Sequence, residues 1–198
     1  MCNGREGHDH DFFYICLCMF TDSNIRLPFD EFTTSVLRAL NVAPTQLHPN
    51  SWASLQAFRL LAEMFHLHPS PHVFLSYYST RPSYPVKWVS LISQSHNILF
   101  TPFSPSYKYF KDFFFKFVIT LVNRHYFFDG DTPKFPLYWT RDPVHYHQSW
   151  SRSPATEDDK RMFEIMDQLP WKLNVRSILK RYLSSHHWVD LYGMFRFY

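Results

Sequence analysis

The chain has 198 residues, 45% of them hydrophobic, with 20 Lys and Arg against 17 Asp and Glu for a formal net charge of +3. That length suits one domain, and that apolar content excludes wholesale disorder. Three cysteines, Cys2, Cys16 and Cys18, are too few and odd in number for a disulfide framework, which points to a reducing, intracellular setting.

Residues 1–11 are polar and read as a disordered leader. Phe12 to Phe20 is about as long as a signal core, but Glu6, Asp9 and Asp11 precede it where basic residues belong, so it is not read as one. Helical spacing begins at Pro28 and runs through Phe29, Phe32, Val36, Leu37 and Leu40, with Asp30 and Glu31 in the first turn. Asn41 to Pro49 reads as a loop. A helix capped by Asn50 or Ser51 follows, with Trp52, Leu55, Phe58, Leu61, Met64 and Phe65 on its apolar side and an end near Leu67. Ser70-Pro71 starts a shorter helix to about Tyr78, and Arg81 to Pro85 reads as a loop.

From Val86 the period shortens. Trp88 to Ile92 and Ile98 to Phe100 read as two strands joined by a turn over Ser93–Asn97. Phe113 to Val122 is aromatic and β-branched enough for a third strand, Asp129-Gly130-Asp131 is a turn, and Phe135 to Trp139 a short edge strand. Phe113 to Val122 is also far shorter than the ~20 residues a membrane helix needs, so no membrane is expected. Residues 140–156 read as a linker. Thr156 and Asp159 resemble a capping box for a helix that Pro170 ends, and Asn174 caps a last helix from Val175 to Leu183. The expected fold is α+β, with N-terminal helices, a small antiparallel sheet in the middle and a C-terminal helical tail. Residues 12–139 form its core, and 157–198 a helical segment packed on or near that core.

Chemistry is sparse. His8-Asp9-His10, His66-x-His68, His145-x-His147 and His186-His187 invite a metal, but none is coupled to a Cys pair at finger spacing, and Cys16-x-Cys18 has the wrong interval for a knuckle. Asp129, Asp131, Asp142, Glu157, Asp158 and Asp159 are the carboxylates a two-metal nuclease would use, yet none is embedded in an apolar strand; Asp129 and Asp131 fall in a Gly turn and Glu157 to Asp159 in a first helical turn, where such residues have structural work. There is no Gly-x-Ser-x-Gly elbow and no phosphate-binding glycine loop. No catalytic residue, cofactor, metal or small-molecule substrate is expected.

Two binding patterns stand beside that absence. Lys172, Arg176, Lys180 and Arg181 gather at and just before the basic C-terminal helix, and Tyr107 to Phe113 interleaves aromatic with basic residues; either could contact RNA or DNA. Trp150 and Trp188 lie in polar surroundings and are the candidate partner contacts, since interfaces favour Trp, Tyr and Arg.

The run Pro44-Thr-Gln-Leu-His-Pro-Asn-Ser-Trp-Ala53, the Phe- and Leu-rich helix after it, Lys87-Trp-Val-Ser-Leu91, Phe135-Pro-Leu-Tyr-Trp139 and Leu173 to Leu179 together resemble the plant transposon domain. That domain is also called the gypsy-type transposon domain and is retrotransposon gag-like. The resemblance spans roughly Phe13 to Leu191. It implies a piece of the 5′ coding region of a gypsy-like plant element, or a host copy decayed from one. Protease, reverse transcriptase and integrase motifs are missing, so the chain reads as a truncated or degenerate copy. The expected function is a non-enzymatic, gag-like domain that mediates protein interaction or self-assembly. The alternative is a nucleic-acid-binding module using the basic C-terminal helix.

Overall fold

The computed structural model describes residues 10–85, 88–104, 113–144 and 150–185, with side chains described as far as Lys180. In chain order the elements are β1 (Phe12–Cys16), α1 (Leu17–Thr21), α2 (Glu31–Leu40), a 3-10 turn (Pro44–Gln46), α3 (Pro49–Met64), α4 (Pro71–Ser76), β2 (Tyr78–Ser83), β3 (Trp88–Ser93), β4 (Phe100–Thr101) and β5 (Phe114–Val118). After these come α5 (Arg124–Phe127), β6 (Phe128–Asp129), β7 (Thr132–Pro133), α6 (Glu157–Gln168), β8 (Leu173–Asn174) and α7 (Val175–Ser185). The architecture is α+β, as the sequence led us to expect. Its strands form four two-stranded ladders: β1–β5, β2–β3 and β6–β7 are antiparallel, and β4–β8 is parallel.

The abundant phenylalanines are the core. Phe13 is fully buried, with ring centroids 5.1 Å from Phe117, 5.4 Å from Phe127 and 5.5 Å from Phe135. Phe29 joins that group to Trp52 at 5.5 Å, and Phe32, Phe58 and Phe74 form a second knot at 5.3 to 5.8 Å. Stacked, tilted and edge-on pairs of this kind add about 0.5–1.5 kcal/mol each beyond their buried area. Trp52 also donates its indole N–H to the Pro44 carbonyl at 3.0 Å, which ties α3 to the turn before it.

Local signals explain the helix ends. Asp30 caps α2 by accepting from the Thr33 amide at 2.8 Å, so the helix starts at Glu31 and not in a first turn at Pro28. His48 caps α3, its Nδ1 accepting from the Asn50 amide at 3.2 Å, with Pro49 in the first turn; Asn50 and Ser51 are therefore inside the helix they were expected to cap. Met64 and Phe65, expected on the buried side, are exposed because α3 ends there. Ser70 caps α4, Thr156 and Asp159 form the expected capping box on α6, and Asn174 accepts from the Ser177 amide at the start of α7.

Four strand expectations change. Tyr78–Ser83 is a strand, although Arg81 to Pro85 read as a loop; Pro82 is tolerated because β2 has one partner. That partner is β3, so the Trp88 segment pairs backwards in sequence and not with Ile98–Phe100. The strand expected over Phe113–Val122 stops at Val118. Phe135 to Trp139 is not a strand; Phe135 and Leu137 are buried plugs, and the Trp139 indole donates to Thr45.

Asp11, at the end of the expected leader, is buried against Arg124, whose guanidinium lies 3.2 Å from its carboxylate. The described parts of 140–156 also touch the body of the fold. Thr140 donates to the Asn41 carbonyl at 2.6 Å, and Trp150 donates to Thr80 at 3.3 Å.

Candidate functional site

The β1–β5 ladder sets the most distinctive surface. Side chains alternate along a strand, so Phe115 and Phe117 pack on the core while Phe114, Lys116 and Val118 face outward. Lys116 lies 4.1 Å above the Phe12 ring and Tyr14 packs edge-on against Phe114, so this face is part aromatic, part cationic. Beyond β5 the chain turns instead of continuing. The Asn123 carboxamide oxygen accepts from the Thr120 amide at 2.8 Å and its NH2 group donates to the Val118 carbonyl at 3.5 Å. Leu121 and Val122 ride on the tip of that turn, 90% and 84% exposed. With Phe113, Phe114, Val118 and Tyr126 they make an apolar band within residues 113–126. Sequence reasoning took this run for strand because it is β-branched. The polar residues bracketing Leu121-Val122, Thr120 and Asn123, were the available signal for a turn.

The basic helix is also presented. Lys172, just before α7, and Arg176 and Lys180 on it are exposed, while Val175 and Leu179 bury an adjoining face of the helix. Arg176 sits 4.7 Å from the Phe103 ring. Arg181 lies on α7, but its side chain falls outside the described residues, as do Trp188, His186, His187, His145, His147, His8 and most of the Tyr107–Phe113 run. Trp150 is only partly buried and packs against the core, with its indole N–H taken by Thr80.

Four of the six candidate carboxylates are engaged in structure. Asp131 pairs with Arg124 at 3.3 Å, Asp129 with Lys134 at 3.6 Å and Glu157 with Lys160 at 2.6 Å. Asp159 accepts from Ser70, lies 3.1 Å from His72 Nδ1 and closes the capping box. Burial alone would raise its pKa; the hydrogen bonds from Ser70, His72 and Thr156 outweigh that and hold it below the ordinary value. The Cys16 sulfur beside it, and then burial, push the Cys18 thiol up, so it stays protonated and inert.

An open cleft of about 620 Å³ lies between the start of α2, the end of α3 and the start of α4, lined among others by Asp30, Glu31, Arg59, Glu63, His66 and His68. Arg59 stands 3.7 Å from both Asp30 and Glu63, so both carboxylates face a guanidinium. Among the described residues no three His, Cys, Asp or Glu side chains gather as a metal site, and no helix is long and apolar enough to cross a membrane.

The chain was also compared with known proteins. Residues 15–82 match the model of the family described as "Putative gypsy type transposon". The matched third of the chain runs from β1 to β2 and holds the cleft and the knot of Phe32, Phe58 and Phe74. It supports a retroelement-derived origin for that segment. Of the motifs that carried the resemblance, Pro44 to Ala53 lies inside the match; Trp88 to Leu91, Phe135 to Trp139 and Leu173 to Leu179 lie beyond it, as do the apolar band and the basic helix. Neither the curated proteins nor the solved structures returned a match.

Proposed function

We propose that this chain is a non-enzymatic, gag-like module of a plant retroelement that associates with further copies of itself through the apolar band of residues 113–126. The observation that carries this reading is the turn after β5, where Asn123 holds Leu121 and Val122 out at 90% and 84% exposure, at the other end of the strand from the exposed Phe113 and Phe114. Apolar side chains gathered this way are a marker of protein contact. Burying a Leu or Val side chain on association is worth on the order of 1.5–3 kcal/mol, so a symmetric contact that buries the band twice would gain several times that before ordering costs. The gypsy-type match over residues 15–82 supports the retroelement origin. The engagement of Asp129, Asp131, Glu157 and Asp159 in ion pairs and caps supports a structural role for them in place of nuclease chemistry.

The test is size-exclusion chromatography with light scattering on the parent chain and on Phe114→Lys. Association that rises with concentration and weakens in Phe114→Lys supports the reading; a parent chain that stays monomeric throughout contradicts it.

A further inference from the structure

Between Asp167 and Asp190 the sequence contains no acidic residue, yet it holds Lys172, Arg176, Lys180 and Arg181. A protein surface normally intersperses both signs, so this stretch is locally built for a polyanion. At its head stands Trp171, 63% exposed. An indole left in water beside cations needs a reason, because Trp buries more apolar surface than any other side chain when it is covered.

The platform is rigid. The Lys172 amide donates to the Ile98 carbonyl at 2.8 Å and the Leu173 amide to the Leu99 carbonyl at 2.9 Å, so the backbone beside Trp171 is pinned to the strand region before it. Lys172 itself takes a left-handed conformation, φ +60°, unusual for a side-chain-bearing residue and held by those two bonds. Asn174 then caps α7 directly. Arg176 and Lys180 follow one turn apart, about 6 Å along the axis. Arg176 is steadied over the Phe103 ring at 4.7 Å while remaining exposed. An exposed indole next to pinned backbone and followed by spaced cations is what a single strand needs: a base stacks on the ring and the phosphates beside it meet the charges.

We propose that Trp171, Lys172, Arg176 and Lys180 form a binding site for single-stranded nucleic acid, with Trp171 as the stacking residue. Double-stranded nucleic acid fits less well, since its bases are already stacked and cannot cover the indole. The site lies apart in sequence from the band at 113–126 and does not depend on self-association.

The experiment is fluorescence anisotropy of the full chain with a labelled oligouridylate, across a salt series, against an abasic oligonucleotide of equal length and against anionic phosphatidylserine vesicles. Expected are binding that weakens steeply with salt, a loss of roughly ten- to a hundredfold in Trp171→Ala, and near-parent binding in Trp171→Phe, which keeps a ring. Each of Lys172→Gln, Arg176→Gln and Lys180→Gln should reduce the salt slope by about one. All four side chains are exposed, and circular dichroism checks that the variants fold. Equal affinity for the abasic strand, unchanged binding in Trp171→Ala, tighter binding to vesicles than to oligouridylate, or no binding at low salt would each overturn the proposal.

Discussion

Asp167 receives both terminal nitrogens of Arg152, at 2.6 and 3.0 Å, in a fork that fastens the segment before α6 onto α6 itself. The Tyr77 hydroxyl donates to the same carboxylate at 2.8 Å, and the guanidinium lies over the Phe163 ring at 4.5 Å. Arg152 and the distant Tyr77 thus meet at one carboxylate of α6. The Arg152 hydrogen bonds, partly opposed by burial and helped by Tyr77, hold the Asp167 pKa below its ordinary value. Burial, and then the Asp167 hydrogen bond, push the Tyr77 phenol up, so it stays a donor.

Asp167→Asn should therefore destabilise the fold by roughly 1 kcal/mol at pH 7, a modest figure because both partners are more than a third exposed. A carboxylate with a lowered folded pKa contributes above its unfolded value and loses that contribution as pH falls through the folded one. Urea midpoints should show the gap between parent and variant at pH 7, and the gap should close in acid below about pH 3.8.

His48 acts in the same direction as Asp167 but in a window nearer neutrality. Burial lowers its pKa below 6.5, and its Nδ1 must stay unprotonated to accept from the Asn50 amide. The unfolded chain takes up that proton first as pH falls below 6.5, so stability is full above 6.5 and declines toward the lowered folded value. His48→Asn keeps a side-chain cap and removes the proton uptake. Its urea midpoint should fall less than the parent's between pH 7.5 and pH 5.5; equal falls would assign the acid sensitivity to other histidines.

Trp52 divides packing from hydrogen bonding. Trp52→Ala empties the space beside Phe29 and should cost about 3–5 kcal/mol. Trp52→Phe keeps an aromatic ring there but leaves the Pro44 carbonyl without its donor, a loss of about 1–3 kcal/mol. Thermal or urea unfolding of the two variants should rank them in that order.

The caps show what was legible in the chain. Ser70, the Thr156–Asp159 pair and Asn174 act within three residues of themselves, so local sequence reveals them. His48 escaped because imidazole is an uncommon cap, and Asp30 was assigned to the first turn because Pro28 looked like the better start. The pairing of β1 with β5 joins Phe12 to Val118, and no local period encodes so distant a partner. The apolar run at Phe12 was therefore seen but not its role. Phe135 to Trp139 carries the composition of a strand, yet its side chains serve as plugs against Phe13 and Phe29, where ring packing outweighs ladder formation. Of the candidate surfaces, the basic stripe was readable because its charges lie close together in sequence, at and just before one helix, whereas the display of Leu121 and Val122 depends on a turn that β-branched composition conceals.

The central claim is that residues 113–126 are a self-association surface, and sedimentation equilibrium tests it most directly. The parent chain and the double variant Leu121→Ser, Val122→Ser should be spun over a series of rising concentrations. The account predicts a parent mass that climbs above 23.9 kDa and a double variant that remains at it. A parent fixed at 23.9 kDa at every concentration, or a double variant that associates as strongly as the parent, would contradict it.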